Sequence, residues 1–314
     1  MTYGGDPSFA PIFKRQRELW LEELEQKPKP TSLLVVSEDK VIVIVGPTGS
    51  GKTSASIEIA KEIERRRLGG FSRVEIISAD SRAIYKGMDI GTAKPTRSEQ
   101  GQVKHWGIDL VEPGERFTVF DWKKYAEVKI EEIFGRGNLP IIVGGTGLYV
   151  DALIYDYQFS RGDIEQKNCS NKERSGKGFE RDEKVRKNEQ ILYPDRQKMC
   201  SRYKIFGVKV EPKILKERLE KRANKLFTQE LYDETRKLVQ KYGWGSQAMK
   251  SNIYQFAWRY MNGEISREEA IRLNVFDDYH LAKRQMTWFK RNENILWLPL
   301  EKVKQSVLKC IQDE

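Results

Sequence analysis

The chain has 314 residues, 39% of them hydrophobic, which suffices for one large α/β domain or a main domain with a smaller insert. Its formal charge of +10 and pI near 9.3 suit a polyanionic partner, nucleic acid first, or a generic basic protein. Three scattered cysteines and two histidines exclude an ordinary zinc finger, and no stretch approaches the ~18 apolar residues of a membrane span. Cys169, Cys200 and Cys310 read as reduced thiols, and no secretory signal pattern is present, so a cytoplasmic, membrane-free and monomeric protein is expected.

Residues 1–40 read as an N-terminal extension. PIFKRQRELWLEELEQ has helical spacing with Phe13, Trp20 and Leu24 on one side, and KPKPT ends it. From residue 41 strands and helices alternate. VIVIV (41–45) is a β-branched run suited to a strand buried on both faces, and residues 53–67 follow as a helix. VEIISA (74–79) is a second buried strand, VFDWKKYAEVKIEEIFGRG contains a helix, and PIIVGG (140–145) is a third strand with TGLYVDALIY starting helically after it. The succession predicts an α/β fold with a parallel sheet between helices over residues 41–155.

Residues 156–202 are charged and, over 160–190, almost free of apolar periodicity, which predicts an insert with no core of its own. YKIFGVKVE (203–211) returns to strand character. Helical patterns follow in PKILKERLEKRANKLF, QELYDETRKLVQKYG, NIYQFAWRYMNG, SREEAIRLNVF and LAKRQMTWFKRN, so residues 203–314 read as the rest of the core and a helical C-terminal region.

GPTGSGKT, formed by Gly46, Pro47, Thr48, Gly49, Ser50, Gly51, Lys52 and Thr53, fits the G-x-x-x-x-G-K-[ST] template. It lies between a buried strand and a helix, the context a phosphate loop needs. Glycines let amides converge on phosphate oxygens, the helix N-terminus adds its positive end, and Lys52 adds a point charge. The Thr53 hydroxyl can hold Mg²⁺. The loop does not identify the reaction, since nucleotide-binding enzymes of several kinds use it.

Asp80 closes the second strand and Thr146 the third, and the carboxyl ends of parallel strands face the ligand crevice. If the second strand lies beside the first, Asp80 points at the reacting compound as a Mg²⁺ carboxylate or a general base; a helix N-cap is its bland alternative. Gly144 and Gly145 permit close approach of backbone to substrate. Lys94, in GTAKP, lies within reach of the crevice. Arg218 and Arg222, spaced i,i+4, share a helix face and could clamp a pyrophosphate, although spacing alone reads first as a solvated face.

Together GPTGSGKT, DSRAIYKGMDIGTAKP, HWGIDLVEP, PIIVGGTGLYVDAL and AKRQMTWFKR resemble the isopentenyltransferase family, which has a P-loop NTPase-like fold. The match is strong over residues 41–153 and looser over 203–298. The resemblance implies a transferase that moves a dimethylallyl group from dimethylallyl pyrophosphate to the exocyclic amine of the adenosine 3′ of a tRNA anticodon, with Mg²⁺ as cofactor. Asp80 would then be the general base, Thr146 would position the reacting groups, and the phosphate loop with Lys94, Arg218 and Arg222 would hold the pyrophosphate. The anticodon stem-loop would be contacted by Asp80, Ser81, Arg82, Ala83, Tyr254, Lys283, Arg284, Gln285, Trp288 and Lys290. Without the resemblance, AKRQMTWFKR reads as a basic surface helix with Trp288 in the core.

The chain departs from the family pattern in a short polyampholytic insert, in Tyr279 where an arginine is usual before AKRQ, and in Ile253 where a glycine precedes Tyr254. These fall on the half expected to meet RNA. His105 and Trp106 stand where two histidines are common. The rival readings are an adenylate prenyltransferase acting on free AMP, ADP or ATP, a P-loop small-molecule kinase that turns over ATP, and a catalytically silent tRNA-binding relative.

Overall fold

The computed structural model describes residues 40–159, 199–246 and 248–313. The expected N-terminal helix and the charged stretch 160–190 lie outside the described residues, as does Cys169.

Six parallel strands form one sheet: β1 (Val41–Val45), β2 (Val74–Ala79), β3 (Lys104–Trp106), β4 (Leu139–Gly144), β5 (Tyr203–Val208) and β6 (Leu296–Leu298), in the spatial order β3-β2-β4-β1-β5-β6. Four helices alternate with the first strands: α1 (Lys52–Arg66), α2 (Arg97–Gln102), α3 (Val119–Phe134) and α4 (Gly147–Ile154). After β5 come α5 (Pro212–Leu226), α6 (Gln229–Tyr242), α7 (Asn252–Met261) and α8 (Arg267–Phe289), and α9 (Leu300–Gln312) follows β6.

Both sheet faces are covered, which is why β1 is apolar at every position. Val41, Val43 and Val45 pack with Trp122, Ile130 and Tyr149 of α3 and α4 on one face. Ile42 and Ile44 pack with Ile57 and Ile63 of α1 and Val303 and Val307 of α9 on the other. Each such aliphatic side chain removed from water contributes roughly 1.5–3 kcal/mol. A third core lies among α5, α6, α7 and α8 and takes in Ile84 and Met88 from the loop after β2. Thr118 and Asp121 cap α3 reciprocally, and Thr96 and Glu99 do the same for α2.

The observed elements differ from expectation in four respects. β4 separates β1 from β2, pairing with both (Val45↔Gly144, Ala79↔Gly144), so the condition that the second strand lie beside the first is not met. β3 and β6 have three residues each, too short to show a period, and escaped the sequence reading. The segments expected as two helices around residue 276 are one helix, α8, because no glycine or proline interrupts them. Finally, α9 was not anticipated, although Val303, Val307 and Ile311 carry i,i+4 spacing. Among the described residues no helix is long and apolar enough to cross a membrane.

Candidate active site

The turn between β1 and α1 holds GPTGSGKT. Gly51 sits at the helix N-cap with φ of 85°, a left-handed conformation that costs a side-chain residue energy and glycine little. Ser50 is fully buried and its Oγ has no hydrogen-bond partner. The Lys52 ammonium lies 3.3 Å from the Pro47 carbonyl, to which it donates. Burial pulls its pKa down to about 8; the Asp80 carboxylate opposes that shift and the Arg222 guanidinium adds to it. A desolvated cation beside an unsatisfied hydroxyl at a helix N-terminus is an anion cradle.

The opposite wall is made where β2 and β4 end. A Cβ at Gly144 would stand 2.1 Å from the Ala79 carbonyl oxygen, so only glycine lets the strands close here. The Thr146 amide donates to that same carbonyl at 3.1 Å. The Ser81 amide donates to Thr146 Oγ1 at 3.0 Å, and Thr146 Oγ1 lies 3.3 Å from Ser81 Oγ. Asp80 Oδ1 accepts the Arg82 amide at 2.8 Å, which makes a tight local turn and not a helix N-cap. Asp80, Ser81, Arg82 and Thr146 line the same cavity as Thr48, Lys52 and Thr53, about 470 Å³ in volume. β4 between the two motif-bearing strands therefore widens the site without dividing it.

Helices α5 and α8 supply the third wall. Arg222 Nη1 donates to Thr48 Oγ1 at 2.9 Å, and Arg218 Nη1 donates to the Ser50 carbonyl at 3.0 Å. Both arginines thus touch the phosphate loop, Arg222 from a half-buried position and Arg218 from an exposed one. Arg222 lines the cavity, and its buried Nε has no partner. Arg218 supports the loop from outside the cavity-lining set.

Several expected site residues are placed otherwise. Lys94 is buried with its ammonium donating to the Tyr85 carbonyl at 2.5 Å, Asp89 at 2.8 Å and Asp109 at 2.5 Å, so all three N–H bonds are committed away from any phosphate. Tyr254 is fully buried and donates to Glu234 at 2.8 Å, which leaves it no surface for RNA. Ala83 is 4% exposed, leaving little of its methyl for RNA. Trp288 lies against Gly147 and its Nε1 donates to Asp151 at 2.9 Å, so its ring is packed into the molecule. Gln285 lines the cavity, accepts the Thr48 amide at 2.8 Å and donates to the Gly145 carbonyl at 3.1 Å, so it ties the two phosphate-side loops together. Gly145 correspondingly makes room for Gln285, the role that had been expected for a substrate. Lys283, Arg284 and Lys290 are exposed on α8, and Arg284 reaches the cavity.

Residues to which the sequence reading gave no site role also belong to the site. His105 on β3 lines the cavity, with Nδ1 donating to the Val103 carbonyl at 2.8 Å and a buried, unpartnered Nε2. Burial pushes its pKa down, against the opposing effects of the Val103 carbonyl and of Glu99. Asp278 on α8 faces the same space, and burial pushes its carboxyl up while Arg222 pulls it down. Glu234 on α6 accepts the amides of Asp89, Ile90 and Gly91 at about 3 Å and so pins the loop that runs along the cavity. Asp278 and Glu234 carry no motif, and His105 lies in the HWGIDLVEP string without a local sign of its place; tertiary placement reveals all three.

For Mg²⁺, no group of three His, Cys, Asp or Glu able to hold a metal occurs among the described residues. A phosphate-bound Mg²⁺ needs only one or two protein ligands, with waters and phosphate oxygens for the rest. The Thr53 side chain in the cavity beside Lys52 fits that requirement.

A family model described as IPP transferase matches residues 83–193 and 173–292. The tRNA dimethylallyltransferase of Acetivibrio thermocellus is 38% identical over 295 residues, covering 83% of this chain and 91% of that protein. That of Staphylococcus saprophyticus is 35% identical, covering 85% and 94%. The crystal structure of a tRNA isopentenylpyrophosphate transferase from Staphylococcus epidermidis superposes with a TM-score of 0.66 at 32% identity, over 87% of this chain and 99% of that one. A eukaryotic dimethylallyltransferase acting on tRNA, 19% identical with a TM-score of 0.65, shares the fold. A phosphate loop, a facing carboxylate and relatives that match nearly end to end lead to one conclusion: this chain belongs to the tRNA dimethylallyltransferase, or IPP transferase, family.

Proposed function

We propose that this protein transfers a dimethylallyl group from dimethylallyl pyrophosphate to the exocyclic amine of the adenosine 3′ of a tRNA anticodon, releasing pyrophosphate. One observation carries the reading: Asp80 and the phosphate loop line a single cavity. The pyrophosphate would lie against the loop amides, Lys52 and Arg222, leaving the allylic carbon directed toward Asp80. The bond from that carbon to the pyrophosphate oxygen breaks as the bond from the amine nitrogen forms, and the electron pair leaves with pyrophosphate. Lys52, Arg222 and the helix N-terminus stabilise the growing negative charge. Asp80 accepts the proton the amine loses, which matters because an amine conjugated to a purine ring is a weak nucleophile. Thr146, held by Ser81, would position the amine beside it. Mg²⁺ bound through Thr53 would add charge neutralisation on the leaving group.

The base must leave its stack to reach this point, and it would enter past Arg284 and Lys283. The basic, exposed end of α8 favours RNA over a free adenine nucleotide as acceptor. The test is mass analysis of tRNA nucleosides after incubation with dimethylallyl pyrophosphate and Mg²⁺ without ATP, with AMP as a parallel acceptor. A prenylated adenosine in tRNA supports the reading; product only on AMP, or a strict need for ATP, overturns it.

A further inference from the structure

Trp288 is half-buried against Gly147, and α8 carries a second aromatic group on its outer face. Phe276 is 61% exposed, the most exposed of the large hydrophobic side chains among the described residues. Its ring centroid lies 4.4 Å from that of His280, and His280 lies 6.5 Å from Tyr279. The Lys283 ammonium stands 4.8 Å from the Tyr279 ring centre. Positions 276, 279, 280, 283, 287 and 290 fall on one helical face by their three- and four-residue spacing, so three aromatic rings are followed by Lys283 and Lys290 along one stripe. Arg284, one turn after His280 at the edge of that stripe, lines the cavity. Tyr279 is anchored on the core of the C-terminal helices, whereas Phe276 packs on none of the three cores.

We infer that Phe276, Tyr279 and His280 form a stacking platform for unpaired RNA bases that flank the adenosine entering the cavity. The inference rests on the acceptor proposed above and says where its neighbouring nucleotides lie. One exposed ring and two half-exposed ones next to lysines supply what single-stranded RNA requires: π-faces for bases and point charges for the phosphates between them. The nearest acidic groups on α8 do not oppose it. Asp277 is engaged by Asn252 of α7, and Asp278 is turned into the cavity beside Arg222. Tyr279 holds the Lys283 ammonium over its ring.

The experiment measures binding of an RNA hairpin with a seven-nucleotide anticodon-type loop to the full-length protein. Phe276→Ala combined with His280→Ala is expected to weaken binding by about tenfold. That loss should stay constant as salt is raised, whereas Lys283→Ala should reduce the salt dependence itself. Abasic nucleotides flanking the target adenosine should weaken binding to the unaltered protein by a similar factor and cost the double variant nothing more. Phe276→Trp, which keeps a ring, should retain affinity. A double variant within twofold of the unaltered protein, or one still sensitive to the abasic sites, overturns the platform while leaving the acceptor proposal standing. An unaltered protein that neither binds nor prenylates the hairpin overturns both.

Discussion

The side-chain carbonyl of Gln285 accepts the backbone amide of Thr48 at 2.8 Å, joining the middle of α8 to the phosphate loop across 237 positions of sequence. Its amide nitrogen holds the Gly145 carbonyl at 3.1 Å, so one side chain sets the distance between β1 and β4 loops. Gln285→Ala leaves both backbone groups unpartnered in a partly buried place, at a cost of about 1–3 kcal/mol. A lower melting temperature and weaker pyrophosphate binding by calorimetry are expected. An RNA-contacting Gln285 would instead lose RNA affinity with pyrophosphate affinity unchanged.

Asp80→Ala should reduce turnover by about 100- to 10 000-fold, the range for removing a general base, while pyrophosphate binding stays close to that of the unaltered protein. Single-turnover kinetics with saturating tRNA, set beside calorimetric pyrophosphate titration, separates the two quantities. Loss of binding as large as the loss of rate would make Asp80 a structural or metal carboxylate.

Lys52 provides a pH signature. Its pKa of about 8 means that the free protein carries this ammonium charged below that pH and neutral above it. A bound anion favours the charged form, so pyrophosphate affinity is full at lower pH and falls as pH rises through about 8. Binding at about pH 9 must therefore take up a proton that binding at about pH 6.5 does not. Calorimetry in buffers of different ionisation enthalpy reads that uptake directly. Asp80→Ala removes the carboxylate that holds the Lys52 pKa up, so the limb should move to lower pH in that variant.

Lys94→Met tests a structural lysine. The ammonium is 2% exposed and satisfies a carbonyl and two carboxylates that are themselves half in solvent. Its removal is expected to destabilise the fold by about 2 kcal/mol, seen as an earlier chemical unfolding midpoint, with pyrophosphate affinity retained by the folded protein. A phosphate ligand at this position would show the reverse pattern.

The phosphate loop was readable because its eight residues are contiguous and their chemistry is local: a buried strand, glycines free to adopt positive φ, and a helix start. Asp80 and Thr146 were readable for a related reason, since each closes an apolar run and strand ends in parallel sheets face a common crevice. Arg218 and Arg222 show where that reasoning stops. Their spacing placed them on one helix face, but whether the face met water or the loop depended on how α5 packs, which no local pattern encodes. Lys94, Tyr254 and Trp288 show the opposite: residue types suited to phosphate or RNA are engaged by Asp89, Glu234 and Asp151, which buries Lys94 and Tyr254 and leaves Trp288 half-buried.

By itself the sequence determined the alternation of strands and helices, the position of the anion cradle and the residues available at each strand end, because periodicity and backbone freedom act over a few neighbouring residues. Tertiary structure alone decided that β4 would stand between β1 and β2, that Gln285 would brace the phosphate loop, and that Phe276 would be left facing solvent. Those outcomes depend on which apolar surfaces find each other across the chain, and burial energy is additive over area without regard to separation in sequence.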